Sequence, residues 1–354
     1  MARIRSLLAG LVVLSCTLAS PGMAAQFRPI LADTSRDTDP APSPDGKWVA
    51  FQSNRGGPSQ IWIMPAGGGA PRRLTDEPDS SASGGKTLAT RVMTPTWAPD
   101  SKSILFVSTR SGVYNIYSVP LEGGKPTPLS KAAGSQRFPA YSPDGTKICF
   151  PSSRLAPGEL FGFNLFVMSA KGEIAGPPAR RLTFSQGSPG HPIWSPDGKW
   201  IAYVSKDFDS TRTVDIGHGM KAKQSAMFSQ YHVFRISAAG GKEVRLTGSL
   251  NANGEDTWPS WSPDGKWIAF GRNINGAQDL WVLNLATKQT YQITKMGNCM
   301  KPTWSADGKA LYFTKYNMQT RDEDIWIATN LALPSSAAAP AHHTTGAPAH
   351  HPTK

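Results

Sequence analysis

The side chains with which this 354-residue chain could do metal, acid–base or nucleophilic chemistry are few, and most of them fall into patterns. His191, His218 and His232 lie close together in sequence and could offer imidazoles to a metal. The other four histidines, His342, His343, His350 and His351, sit in a C-terminal stretch where Ala-Pro-Ala-His-His occurs twice. No His-Glu-x-x-His, paired Cys, phosphate-binding loop or calcium loop accompanies them. There is no Gly-x-Ser-x-Gly nucleophile elbow. Cys16, Cys149 and Cys299 make no disulfide framework. Six aspartates, Asp45, Asp100, Asp144, Asp197, Asp264 and Asp307, recur within Ser-Pro-Asp-Gly-Lys or a close variant. A carboxylate repeated in one setting is turn chemistry rather than catalysis, because Pro presets φ and Gly tolerates positive φ. No catalytic residue and no cofactor is implied by any of these patterns.

What must position such residues is a repeat. The six aspartates are spaced by 55, 44, 53, 67 and 43 residues, the size of a propeller blade with variable loops. Pro and an aromatic precede five of the turns, as in Pro95-Thr96-Trp97 and Pro259-Ser260-Trp261; the first copy is degenerate, Pro40-Ala41-Pro42. A β-rich run follows each turn, a second follows that (Ile61-Trp62-Ile63-Met64, for example), and most units close with Leu-Thr or a relative. Read as strands A to D, six units predict an all-β chain: a six-bladed β-propeller of four-stranded blades, with tryptophans as wedges between blades. The sixth unit ends at strand C near Ala328, and residues 27–32 precede Pro40 by the spacing of a strand D. The N-terminal strand is therefore expected to complete blade six and close the ring.

In this arrangement the residue before each repeat Pro is Asp39, Thr94, Phe138, His191, Trp258 or Lys301. Strand A is innermost, so these six should ring one mouth of the central channel. Structural slots repeat one residue type; this one holds an acid, a hydroxyl, an aromatic, an imidazole, an indole and a base. That variety marks a surface fitted to one partner, with Trp258 as an exposed anchor. Arg55, Arg110, Arg154 and Lys206 follow strand B on the same face and should form a second, basic ring. For Arg272 and Lys315 at the equivalent positions, pairing with Asp279 and Asp324 at the start of strand C is the expectation. Two insertions, residues 76–94 and 206–231, decorate that face. His232 occupies the polar slot filled elsewhere by Gln60, Asn115, Asn164, Asp279 and Asp324, so a structural role is expected of it.

These in-phase motifs resemble the TolB-type propeller repeat, found in periplasmic TolB and in the propellers of prolyl oligopeptidase-like enzymes. The resemblance runs from about residue 27 to 328. It implies the fold strongly and the function weakly, because one fold hosts many activities. No counterpart of the α/β domain that precedes the TolB propeller is expected in this sequence, nor of the hydrolase domain of the peptidases.

The remaining segments set the compartment. Arg3 and Arg5, the apolar run of residues 7–19 and Ala24-Ala25 read as a secretory signal over residues 1–25. Val13-Leu14-Ser15-Cys16 also loosely resembles a lipoprotein site, which would make Cys16 a lipid anchor. Residues 26–333 are the expected propeller, and residues 334–354 an unstructured His/Pro/Ala-rich tail. No other segment is long and apolar enough to cross a membrane. The formal charge of +12, or +10 without Arg3 and Arg5, favours solubility and weak attraction to anions. Without a Lys/Arg block, and with export, it does not point to nucleic acid. Two functions remain. One is a monomeric, non-catalytic, exported module of the cell envelope, periplasmic or secreted, that binds an envelope protein or a peptide-like or anionic ligand. The other is a propeller lyase or hydrolase on an anionic glycan, with His191, His218 and His232 holding a metal in blade four.

Overall fold

A computed structural model describes residues 25–334 apart from 77–79, 84–85, 132–133, 155–161, 185–186, 207–210, 216–220, 226–229 and 249–253. The leader with Cys16, the tail with its four histidines, and His218 lie outside the described residues. Six antiparallel four-stranded sheets form the blades of a six-bladed propeller. In blade one, strands A to D are Asp37–Pro42, Trp48–Ser53, Gln60–Pro65 and Arg72–Arg73. Blade four has Gly190–Trp194, Trp200–Lys206, Tyr231–Ser237 and Val244–Arg245. Blade six has Cys299–Trp304, Leu311–Tyr316 and Glu323–Thr329, and its fourth strand is the N-terminal Gln26–Leu31. The register Phe27↔Ala328, Arg28↔Ile327 and Leu31↔Ile325 closes the ring where the repeat spacing places the closure.

Each repeat element has a local cause. In the Ser-Pro-Asp-Gly turn of blade one, Ser43 Oγ donates to Asp45 Oδ1 (2.6 Å), the Lys47 amide donates to the same oxygen (3.1 Å), and the Trp48 amide donates to Ser43 Oγ (2.9 Å). The serine–aspartate bond recurs at Asp144, Asp197, Asp264 and Asp307. The Leu-Thr signature also has a reason. The Thr75 hydroxyl accepts from the Ile61 amide (2.9 Å) and donates to Gln60 Oε1 (2.7 Å), tying the end of strand D to the start of strand C. Thr183 with Asn164 and Thr294 with Asp279 repeat that latch.

Strand B is buried on both faces, with Val49, Ala50 and Phe51 at 0% exposure, because a neighbouring blade covers each side. The seams carry the core. Trp97 Nε1 donates to Ala41 O of blade one (2.8 Å), and Trp194 Nε1 to Ala140 O of blade three (3.1 Å). Each wedge so buried contributes on the order of 2–3 kcal/mol before its entropy cost. Cys149 lies in strand B of blade three. Cys299 is the first residue of strand A in blade six. Both are buried free thiols; burial pushes both up, Cys299 to about 12. The two insertions contain hairpins, Ser80–Ser83 with Lys86–Ala89 and Thr211–Asp215 with Lys221–Ser225. Among the described residues no helix is long and apolar enough to cross a membrane.

Candidate functional site

Strand A is interrupted at one place in blade after blade. The register with strand B shifts between Thr38 and Ala41, Met93 and Thr96, Gly190 and Ile193, Thr257 and Ser260, and Met300 and Thr303. The repeat Pro explains the shift: it has no N–H for the ladder, so it is accommodated in a bulge. The residue ahead of it is thrown into the left-handed region. Asp39 has φ 57°, Thr94 54°, Phe138 44°, His191 50°, Trp258 51° and Lys301 55°. A left-handed backbone costs a non-glycine residue about 1 kcal/mol or more, and is rarest for β-branched and bulky types such as Thr94 and Trp258.

The bulge turns these side chains toward the ring axis, and all six line one cavity. They meet as a belt. The Phe138 and His191 rings lie 3.8 Å apart between centroids, and His191 meets Trp258 edge-on at 5.8 Å. Lys301 Nζ lies 5.9 Å from the Trp258 ring centroid, bonds Asp39 Oδ2 at 3.0 Å, and donates to Thr38 Oγ1 at 2.8 Å. Burial, with the Lys301 ammonium two blades away, pushes the His191 imidazole down to about 3, so it is neutral in the physiological range. Thr94 is buried between the ends of the belt. Beneath the belt the cavity, about 550 Å³, runs past the repeat prolines to Pro44, Pro99 and Pro143 at the turn face. The expected exposure of Trp258 is corrected: its indole is half-buried, packed by His191 and Lys301 from the neighbouring blades.

Most of the basic residues after strand B sit over aromatic side chains of strands B and C. Arg55 lies above Phe51 and Trp62 and bonds Asp37 (2.6 Å) and Asp33 (3.1 Å). Arg154 lies above Phe150 and Phe166 and bonds both Glu173 oxygens. Arg110 covers Tyr117, and Lys206 covers Tyr231. The expected pairing of Arg272 and Lys315 with strand C is corrected. They stand opposite Asp279 and Asp324 in register. Arg272 nevertheless makes a two-bond pair with Asp256 of strand A, and Lys315 Nζ donates to Gly297 O (2.8 Å). Asp279 is already occupied by Thr294 and the amides of Met296 and Gly297.

His191 and His232 have different surroundings. His191 is held in the aromatic belt, while His232 fills the strand-C latch position, its Nδ1 3.7 Å from Asp256. Among the described residues no three His, Cys, Asp or Glu side chains form a group able to hold a metal. A feature the repeat pattern does not reveal lies at the ring closure. Asp37 and Asp324 are drawn together from opposite ends of the chain. Burial first, and then their neighbouring carboxylates, raise each to about 6, Asp37 in spite of its bond to Arg55.

Comparison with known proteins places this architecture. The family model for the TolB beta propeller domain matches residues 86–227, and that for the dipeptidyl peptidase IV N-terminal region matches residues 221–301. An uncharacterized protein of Agrobacterium fabrum, Atu1656, is 30% identical over 65% of this chain and 68% of its own length. A TolB homolog of Protochlamydia amoebophila is 25% identical over 67% of this chain, which spans 45% of that longer protein. Among solved structures, a TolB-type protein of Agrobacterium tumefaciens matches with a TM-score of 0.59 and 19% identity, over 87% of this chain and 94% of its own. A manganese complex of oligogalacturonate lyase matches with a TM-score of 0.54 and 15% identity, over 92% and 97%. At such identities the structural likeness concerns the fold alone.

Proposed function

From the premise that this chain belongs to the TolB-like β-propeller family, we propose that it is an exported, non-catalytic binding module of the bacterial cell envelope. Its channel mouth, Asp39, Thr94, Phe138, His191, Trp258 and Lys301, receives an extended segment of a partner protein. One observation carries this reading. At six symmetry-equivalent positions the backbone is left-handed, and none of them is glycine, the residue that would relieve the strain. Strain kept at every blade, with a different side chain each time, is what a fitted recognition surface requires.

The geometry supports a peptide-like segment over an anion. Lys301 and Asp39 are the charged residues of the cavity and neutralise each other at 3.0 Å. Arg55 and Arg154 are committed to carboxylates. The belt instead offers aromatic faces and an amphipathic indole, the chemistry that anchors peptides. Crosslinking of the exported protein in the intact envelope, followed by identification of the captured partner, tests this. Replacing Phe138, His191 and Trp258 with Ala is expected to abolish capture while the circular dichroism spectrum is retained; normal capture by the triple variant would place the site elsewhere. The lyase or hydrolase reading rests on three histidines in blade four. It requires stoichiometric metal in the purified protein that His191→Ala removes.

A further inference from the structure

The mouth face is unevenly charged. Arg36, Arg55, Arg154 and Arg272 each bond a carboxylate, of Glu323, Asp37, Glu173 and Asp256 respectively. Blades two and three differ. Between Arg91 and Arg154 the acidic residues are Asp100, Glu122 and Asp144. All three lie in loops from strand A to B or from C to D, at the opposite face of the ring. Arg91, Arg110, Lys131 and Arg137 lie on the mouth side of the same stretch. Among the described residues, Arg91 and Arg137 pair with no carboxylate. Arg137 is held firmly in place. It directly precedes Phe138 of the belt, and its amide donates to Pro151 O (3.1 Å). Its guanidinium lies over two rings, 4.7 Å from the Tyr114 centroid and 5.3 Å from that of Phe163. Arg91 Nη1 donates to the Tyr114 hydroxyl (3.4 Å). Ring stacking fixes the Arg137 side chain but occupies none of its N–H donors. Its Nε is buried and has no hydrogen-bond partner. No structural slot of the repeat explains it, since the equivalent residues are Thr38, Met93, Gly190, Thr257 and Met300.

We propose that Arg137 and Arg91, joined through Tyr114, form a carboxylate subsite beside the belt, and that the partner segment received at the mouth carries an aspartate or glutamate close to the residue that meets Phe138. The inference rests on the mouth being a peptide-binding surface. A buried donor without an acceptor destabilises the fold until something supplies one. A guanidinium presents parallel N–H donors that match the two oxygens of a carboxylate. Arg110 and Lys131 add charge of the same sign with no acid of this stretch on their face, so an acidic residue of the segment is drawn to blades two and three. Because Arg137 and Phe138 are consecutive, the acid and the anchoring residue of the segment are near neighbours in its sequence.

Fluorescence anisotropy with two labelled, end-blocked heptapeptides tests the subsite. The peptides are identical except that a central tryptophan is flanked by aspartates in one and by asparagines in the other. The wild type is expected to bind the aspartate peptide at least about fivefold tighter, with the advantage shrinking as salt rises. Arg137→Gln should cut that advantage to less than about twofold. Arg137→Lys keeps the charge but loses the fork, and should retain only part of it. Lys295→Gln, which removes an exposed charge from the same face, should leave it unchanged. Equal binding of the two peptides by the wild type, or no binding of the aspartate peptide, overturns the subsite. So does an undiminished advantage in folded Arg137→Gln, or in Arg137→Lys should the former not fold. In the first and last of these outcomes the reading of the belt still stands. Wild-type affinity for both peptides in the triple alanine variant of Phe138, His191 and Trp258 overturns the belt reading itself, and the subsite with it.

Discussion

At the turn face of the ring, left-handed backbone falls to Gly46, Gly145, Gly198, Gly265 and Gly308, with φ between 69° and 72°, and in blade two alone to a non-glycine, Ser101 at 59°. At the channel mouth it falls to six residues with φ between 44° and 57°, none of them glycine. The same conformational demand is thus met at one end, in five blades of six, by the residue that tolerates it and at the other by residues that do not. The carboxylates divide in the same way. Asp45, Asp144, Asp197 and Asp307 of the turns are held low by serine hydroxyl bonds, Asp144 to about 2. Asp37 and Asp324 on the mouth side are raised to about 6 by burial first and then by nearby carboxylates, Asp33 acting on Asp37 and Asp37 on Asp324. One face is locally satisfied and, blade two apart, uniform. The other is strained and particular, which is how recognition surfaces differ from the scaffold that holds them.

Four substitutions break or sharpen this contrast. The largest effect is expected on the satisfied face. Gly265→Val puts a β-branched residue at φ 71°, where space is adequate, since an added Cβ would meet only Pro196 Cδ at 3.9 Å. The cost is then backbone strain, about 2 kcal/mol, read as a shifted urea midpoint. Next is Asp324→Asn. A carboxyl raised in the folded state gives stability that is complete below its unfolded value near 4 and is lost as pH rises through about 6. The wild type should therefore lose stability between pH 4 and 7 through this pair. The variant should gain about 1 kcal/mol at pH 7.5, after allowance for screening, and show a flatter profile in thermal melts.

Thr94→Gly should run opposite to Gly265→Val. It relieves a β-branched residue at φ 54° and removes a buried hydroxyl oxygen that has no hydrogen-bond partner. A gain of about 1 kcal/mol by denaturant titration is expected, together with weaker partner capture. A loss of stability would mean that the mouth conformation is not strained. The smallest change is expected of Asp144→Asn. A depressed carboxyl gives stability that is present above pH 4 and lost as pH falls through about 2. The variant should be slightly less stable than the wild type at pH 7, match it near pH 2, and so show a flatter acid melting curve in that window.

The fold was legible because its signals are local and repeated. Pro-Asp-Gly turns, paired apolar runs and Leu-Thr ends each carry their structural cause within a few residues, and the spacing from Leu31 to Pro40 was enough to assign the closing strand. The six mouth positions were legible by phase alone, since a residue before the repeat Pro has one location in every blade. What those side chains do to one another was not. Arg272 stands opposite Asp279 in the ladder yet bonds Asp256 on the other neighbouring strand. Pairing across a sheet edge depends on side-chain reach and on which carboxylate is still free.

The sequence by itself determined the all-β repeat, the number of blades, the direction in which the ring closes and the ring of six unlike residues, because each follows from chemistry within a blade. Only the tertiary structure decided that those residues are locked into a belt and that Asp37 and Asp324 share a poorly solvated corner. Each of these arises between blades, from side chains tens to hundreds of positions apart, and their contact energies exist only once the ring is closed.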